Sequence, residues 1–166
     1  MHPRSFARLA VLLAAASIVA GCAAASGDPV STAPPLQLRL VASSAPGPCS
    51  APPLTSDGPG TACDTAGTTT YELAGSLGAV TPTSVTRNSQ GNGQAVAVKF
   101  AKADADTLRD VTSSAIDKRL ALLLDGKVLS AATVKAPITA GMFTFSFGTA
   151  SEADQVATAL GAPATS

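Results

Sequence analysis

Cys22 stands directly behind Val19-Ala20-Gly21, a position in which a thiol can be acylated. Arg4 and Arg8 precede an apolar run from Leu9 to Ala20, the order of a secretory signal: basic start, short greasy core, small residues before the cut. A branched aliphatic, Val19, three places before the cysteine with small residues between fits a bacterial lipoprotein cleavage box. Residues 1–21 are therefore expected to be removed as a lipoprotein signal peptide, leaving Cys22 as the lipid-bearing first residue. A transmembrane helix competes for residues 9–20, but a span needs about 20 apolar residues. A plain signal peptide cut elsewhere in the Ala-rich stretch is the other competitor, and the cysteine's place at the end of the run argues against it. Two or more acyl chains anchor stably where one does not. The expected address is the outer face of the cell membrane, with the bilayer as partner through Cys22.

The other thiols, Cys49 and Cys63, form an even pair in an oxidising compartment. Their spacing matches neither a CxxC redox motif nor a zinc module, so a structural disulfide is expected. It closes a turn-rich loop that includes Pro52-Pro53 and Gly58-Pro59-Gly60. Closing a loop of that length stabilises by ~3 kcal/mol on the chain-entropy model.

Little else offers chemistry. The single histidine, His2, lies in the signal, so the processed chain has no imidazole for general-base work or zinc. Removal of the signal leaves nine basic and eleven acidic side chains, which argues against nucleic acid. Lys118, Lys127 or Lys135 could activate a serine, yet neither a Gly-x-Ser-x-Gly elbow nor a Ser-x-x-Lys set is present. Asp104, Asp106 and Asp110 lack the glycine and closing glutamate of a calcium loop. Gly91-Asn92-Gly93 precedes a strand pattern instead of opening a helix, so it is no phosphate loop. No catalytic residue, metal site or cofactor is expected.

These groups need a scaffold. Residues 22–35 read as the lipidated cysteine and a flexible tether, with Pro34-Pro35 its stiffer end. A domain follows over 36–162, and 163–166 form a tail. Leu36, Leu38 and Leu40 alternate with polar neighbours in a half-buried strand. Thr68–Leu73 is a second strand, Val80–Thr86 a short Pro-interrupted third, and Ala95–Phe100 a fourth after a turn cluster at 88–93. Asp104 is the expected N-cap of a helix to about Lys118, with Lys118-Arg119 complementing its C-terminal dipole.

Two apolar runs, Leu120–Leu124 and Lys127–Leu129, joined by Asp125-Gly126 predict a tight hairpin. That turn accounts for Asp125 without a catalytic role. Phe143, Phe145 and Phe147 alternate along a strand and are expected in the core, with a hydrophobic binding strip as the other reading. Thr149 and Glu152 form a capping box for a last helix, which Gly161 and Pro163 stop. The element order predicts one small α+β domain: a mixed, mostly antiparallel sheet with two main helices on one face.

The strand ending in Phe100, Val111-Thr112, the run Leu120-Ala121-Leu122-Leu123-Leu124-Asp125-Gly126-Lys127-Val128-Leu129-Ser130-Ala131, then Ile138-Thr139-Ala140-Gly141 and Glu152-Ala153 come in a familiar order. This order resembles the head subdomain of the first periplasmic domain of SecD, a membrane component of protein export. Leu36–Val41 and Tyr71-Glu72-Leu73 resemble the strands leading into that head. The resemblance is good over 95–161 and looser over 36–161. The chain departs from it at Ala132, where the family commonly has proline, and in lacking transmembrane runs and the ferredoxin-like base. What it implies is a fold and contact with exported polypeptide, with no proton-coupled transport and no catalytic residue. The expected role is a non-enzymatic accessory lipoprotein touching exported or envelope proteins. An envelope small-molecule or polymer binder is the alternative, and a Ser/Lys hydrolase the more distant one.

Overall fold

The computed structural model describes residues 33–88 and 94–162. The signal peptide, Cys22, the tether as far as residue 32, Gly91-Asn92-Gly93, Pro163 and the tail lie outside the described residues. The elements in chain order are β1 (Leu36–Pro46), β2 (Gly60–Cys63), β3 (Thr69–Val80), β4 (Pro82–Asn88), β5 (Ala95–Phe100), α1 (Lys102–Ser114), β6 (Arg119–Leu124), β7 (Lys127–Thr133), β8 (Met142–Ser146) and α2 (Ala150–Ala159).

The class is α+β, and the strands divide into two antiparallel sheets, one ordered β2-β3-β1-β6-β7 and the other β4-β5-β8. The segment expected as a third strand spans the junction. Val80 closes β3 in the first sheet, where it pairs with Leu36, and Pro82 opens β4 in the second, where it pairs with Phe100. Proline at a strand's first position costs no ladder hydrogen bond. α1 packs on β3 and β5 and so bridges the two sheets, while α2 packs on β4 and β5 of the second. Leu36, Leu38 and Val80 of the first sheet, Val96, Val98 and Phe145 of the second, Leu108 and Val156 of the helices, and Leu160 just after α2 share one core.

β6 explains why the first sheet is buried on both sides. Leu120, Leu122 and Leu124 face the main core, while Ala121 and Leu123 belong to a second cluster with Ala62, Tyr71, Leu73 and Val128. A continuous apolar run is the pattern a doubly buried strand requires. The second cluster is covered by the loop between β1 and β2. Leu54 packs on it, and the Leu54 amide donates to the Gly126 carbonyl at 3.0 Å. The Cys49–Cys63 disulfide closes this loop, with an S–S distance of 2.06 Å.

Arg39 holds that loop down. The sequence pattern put it on the polar face of a half-buried strand, but the residue is 0% exposed. Its Nη1 donates to the Gly58 and Ala74 carbonyls (2.7 and 3.2 Å), its Nη2 to the Ser56 carbonyl, and Nε and Nη2 to Gln37 Oε1 (3.3 Å each). All five N–H donors of the planar fork are thereby used.

Three local expectations are corrected. Asp104 does not cap α1: the N-cap is Ala101, without a side-chain bond, and Asp104 accepts from the Thr81 amide at 2.9 Å, tying the helix to the β3–β4 corner. α1 stops at Ser114 instead of Lys118, because Asp117 takes a left-handed φ of 61° and turns the chain into β6. Arg119 therefore opens β6, stacks 5.5 Å over the Tyr71 ring and bonds Ser44 Oγ, so no base stands in the helix's last turn. Other expectations hold. Asp125 (φ 49°) and Gly126 (φ 75°) form the β6–β7 turn with both residues left-handed, as a type I′ hairpin needs. Thr149 and Glu152 form the capping box, and Gly161 (φ 87°) follows α2.

Replacing Arg39 by Met strips the Ser56, Gly58 and Ala74 carbonyls of their donor while keeping most of the side-chain volume. The expected loss is about 3 kcal/mol of unfolding free energy, with faster amide exchange around the loop. Unchanged denaturation would show that the clamp contributes nothing. Asp64, at the β2–β3 turn, is pushed up by burial but brought below the usual carboxylate range overall by hydrogen bonds from the Thr68 amide and hydroxyl and the Thr69 amide. Its contribution is full above the unfolded aspartate pKa and lost as pH falls through the lower folded value. Asp64→Asn is therefore expected to flatten the acid limb of a stability–pH curve, measured against the parent chain.

Candidate functional site

The two sheets leave two strand edges beside each other. β7 ends the five-stranded sheet and β8 ends the three-stranded one, and both line the same trough. β7 pairs with β6 on its inner side. On its outer side Val128 is taken by a parallel bridge to Asp64, with the Thr65 amide donating to the Val128 carbonyl (3.2 Å), and from Leu129 to Thr133 no second strand pairs with β7 among the described residues. An uncovered edge presents free N–H and C=O groups, which is the template for adding another strand.

One half of the trough is an apolar groove of about 250 Å³. Leu108 and Leu120 are buried at its floor, with Leu122, Val134, Ile138, Phe143 and Phe145 around them. The segment after β7 forms one wall and is held by a buried hydroxyl. Thr112 Oγ1 donates to the Leu108 carbonyl (2.7 Å) and accepts from the Ile138 amide (3.0 Å). Phe100, Phe143, Phe145 and Phe147 form a ring-to-ring file with centroid spacings of 5.4, 4.7 and 6.0 Å. Phe145 is buried, while Phe143 and Phe147 are half-buried. The core and binding-strip readings of these aromatics thus describe two sides of the same rings.

The other half is a wider cleft of about 530 Å³ that meets the groove at Ser130. Val128 and Leu129 of β7, Phe147 after β8, Val156 of α2 and Tyr71 of β3 supply apolar surface. Asp64 and Glu152 supply charge, and no basic side chain lines it. Both carboxylates are fixed: Asp64 by Thr68 and Thr69, Glu152 by accepting from the Thr149 amide at 3.0 Å.

The residues singled out for chemistry do not converge. Cys22 lies outside the described residues. Cys49 and Cys63 are joined to each other. Lys135 pairs with Asp117 at 3.0 Å, both exposed, and is not bonded to a serine. Asp106 is shared by Lys102 (2.7 Å) and Arg109 (2.8 Å), and Asp110 also pairs with Arg109, while Asp104 is engaged at Thr81. Among the described residues no group of three or more His, Cys, Asp or Glu is placed to hold a metal ion. No helix there is long and apolar enough to cross a membrane. Within the cleft Thr68 Oγ1 donates to Asp64 Oδ2 at 2.9 Å, the same carboxylate that accepts from the Thr68 and Thr69 amides. Sequence reasoning did not foresee the trough, since it arises between strands remote in the chain. The one available signal was the Phe143–Phe147 alternation.

The family model described as SecDF, P1 head subdomain, matches residues 50–165. No curated protein matches this chain in sequence. Among solved structures, one described as a membrane component SecDF that enhances protein export aligns with a TM-score of 0.52 at 19% identity, over 77% of this chain and 62% of that one. This chain thus spans less than two thirds of that relative. SecDF in its super-membrane-facing form aligns at 0.49 and 19% identity, over 76% and 18% of the two chains. SecDF from Thermus thermophilus aligns at 0.42 and 14%, over 77% and 28%. The fold and the span of the family match agree, and the chain belongs to the SecDF P1 head subdomain family.

Proposed function

We propose that this protein is a non-enzymatic accessory of protein export, anchored to the outer face of the cell membrane through lipid on Cys22. There it holds extended stretches of exported polypeptide in the trough between β7 and β8. The observation that carries this reading is the pairing of open strand edge with apolar groove in one depression. A strand edge binds main chain whatever the sequence, and a groove rewards apolar side chains. Together they suit a client that is unfolded, varied in sequence and rich in residues later buried. Family membership and the relative's description as enhancing protein export support the same reading.

A photo-crosslinking residue at Ala132 or Thr144, both exposed in the groove lining, is expected to capture an unfolded secretory precursor. The same probe at Ser113, exposed on α1 outside the groove, is expected to capture little. Equal capture at all three sites, or none at the groove sites, would remove the trough from the function. For the anchor, the parent chain is expected in the detergent phase and Cys22→Ala in the aqueous phase. An identical distribution of the two would sink lipidation at that residue.

A further inference from the structure

The halves of the trough differ in chemistry, and a single bound segment has to satisfy both. The groove is apolar, and its one cation, Lys135, is paired with Asp117. The cleft carries Asp64 and Glu152 beside Tyr71, Phe147 and Val156. Arg119 stacks on Tyr71 and bonds Ser44, but does not line the cleft. Both carboxylates already accept backbone hydrogen bonds, so what they present to a visitor is mainly charge over an apolar bed. A long cationic side chain matches that surface, since its methylene stem lies on apolar groups while its head stays near the carboxylates and water. A compact metal ion would gain less from it.

The distance between the halves sets a spacing. Beyond Val128, whose edge is taken by Asp64 and Thr65, β7 passes from Leu129 in the cleft to Thr133 in the groove, four residues on. At ~3.3 Å per residue that is about 13 Å, and a ligand strand alongside covers it in the same number of residues. The geometry points to a ligand of one kind: an extended polypeptide segment with a lysine or arginine about four residues from a large aliphatic or aromatic side chain. The base lies over Asp64 and Glu152 and the apolar group sits in the groove. This rests on the polypeptide-holding role proposed above and names the class of segment held.

The test uses the full chain in detergent and three short fluorescent peptides. The first has arginine four residues from leucine, the second has glutamate in place of the arginine, and the third has serine in place of the leucine. The arginine peptide is expected to bind at least about threefold more tightly than the glutamate peptide at low salt, converging in 1 M salt. The serine peptide is expected to bind weakly. Glu152→Gln keeps the capping box, because glutamine accepts the same hydrogen bond, and is expected to reduce the arginine preference by about twofold. Leucine peptides that bind equally with either charge, or a preference indifferent to both salt and Glu152→Gln, would overturn this inference and leave the polypeptide-holding role standing. Failure of every peptide to bind would overturn both.

Discussion

A buried guanidinium facing carbonyls, with no carboxylate among its partners, is the constraint around which this domain is arranged. Arg39 draws the Ser56 and Gly58 carbonyls onto β1 and fixes the irregular stretch of β3 at Ala74. Burying a charge this completely is costly unless every donor is used. Here the five donors tie together three segments distant in sequence. One consequence is that the loop closed by Cys49 and Cys63 lies against the sheet as a cover. The Leu54–Gly126 and Ser76–Asp57 backbone bonds hold it at two further points.

Once that face is covered, the five-stranded sheet, whose inner strands are β3, β1 and β6, has apolar residues buried on both sides. The main core must then be completed from elsewhere, and the three-stranded sheet and two helices do so. Joining two small sheets through a shared core leaves edges that one continuous sheet would have paired. The edges of β7 and β8 are of this kind, and the trough lies along them. Its depth depends on Thr112, whose hydroxyl holds Ile138 and so keeps the following wall in place. A threonine inside a helix commonly bonds back to the preceding turn, and here the same oxygen also serves a distant amide.

The functional reading follows from this architecture more than from any single side chain. Asp104, Asp106, Asp110, Lys135 and the Cys49–Cys63 pair are each engaged by a separate structural partner. What remains open is backbone edge, apolar groove and a charged cleft, all features of recognition.

Local contests between short-range forces were legible in the chain. The Asp125-Gly126 turn, the Thr149/Glu152 box, the alternation in β5 and β8 and the doubly apolar β6 are each decided by neighbouring residues, through allowed φ values, hydrogen bonds within one turn, or side-chain periodicity. The even cysteine pair likewise predicted its own bridge. Where the reading failed, a distant partner won. Asp104 left the helix cap for the Thr81 amide, Arg119 left the helix end for Tyr71 and Ser44, and Arg39 left the solvent for carbonyls up to 35 residues away. The division into two sheets and the trough between them are long-range in the same way. The sequence by itself determined most of the elements, the β6–β7 turn and the α2 cap, because those energies are local, but not β2, which lies in the stretch read as a turn-rich loop. Only the tertiary structure decided which edges stay unpaired and which charges are buried, because both depend on what remains after segments far apart in the chain have packed.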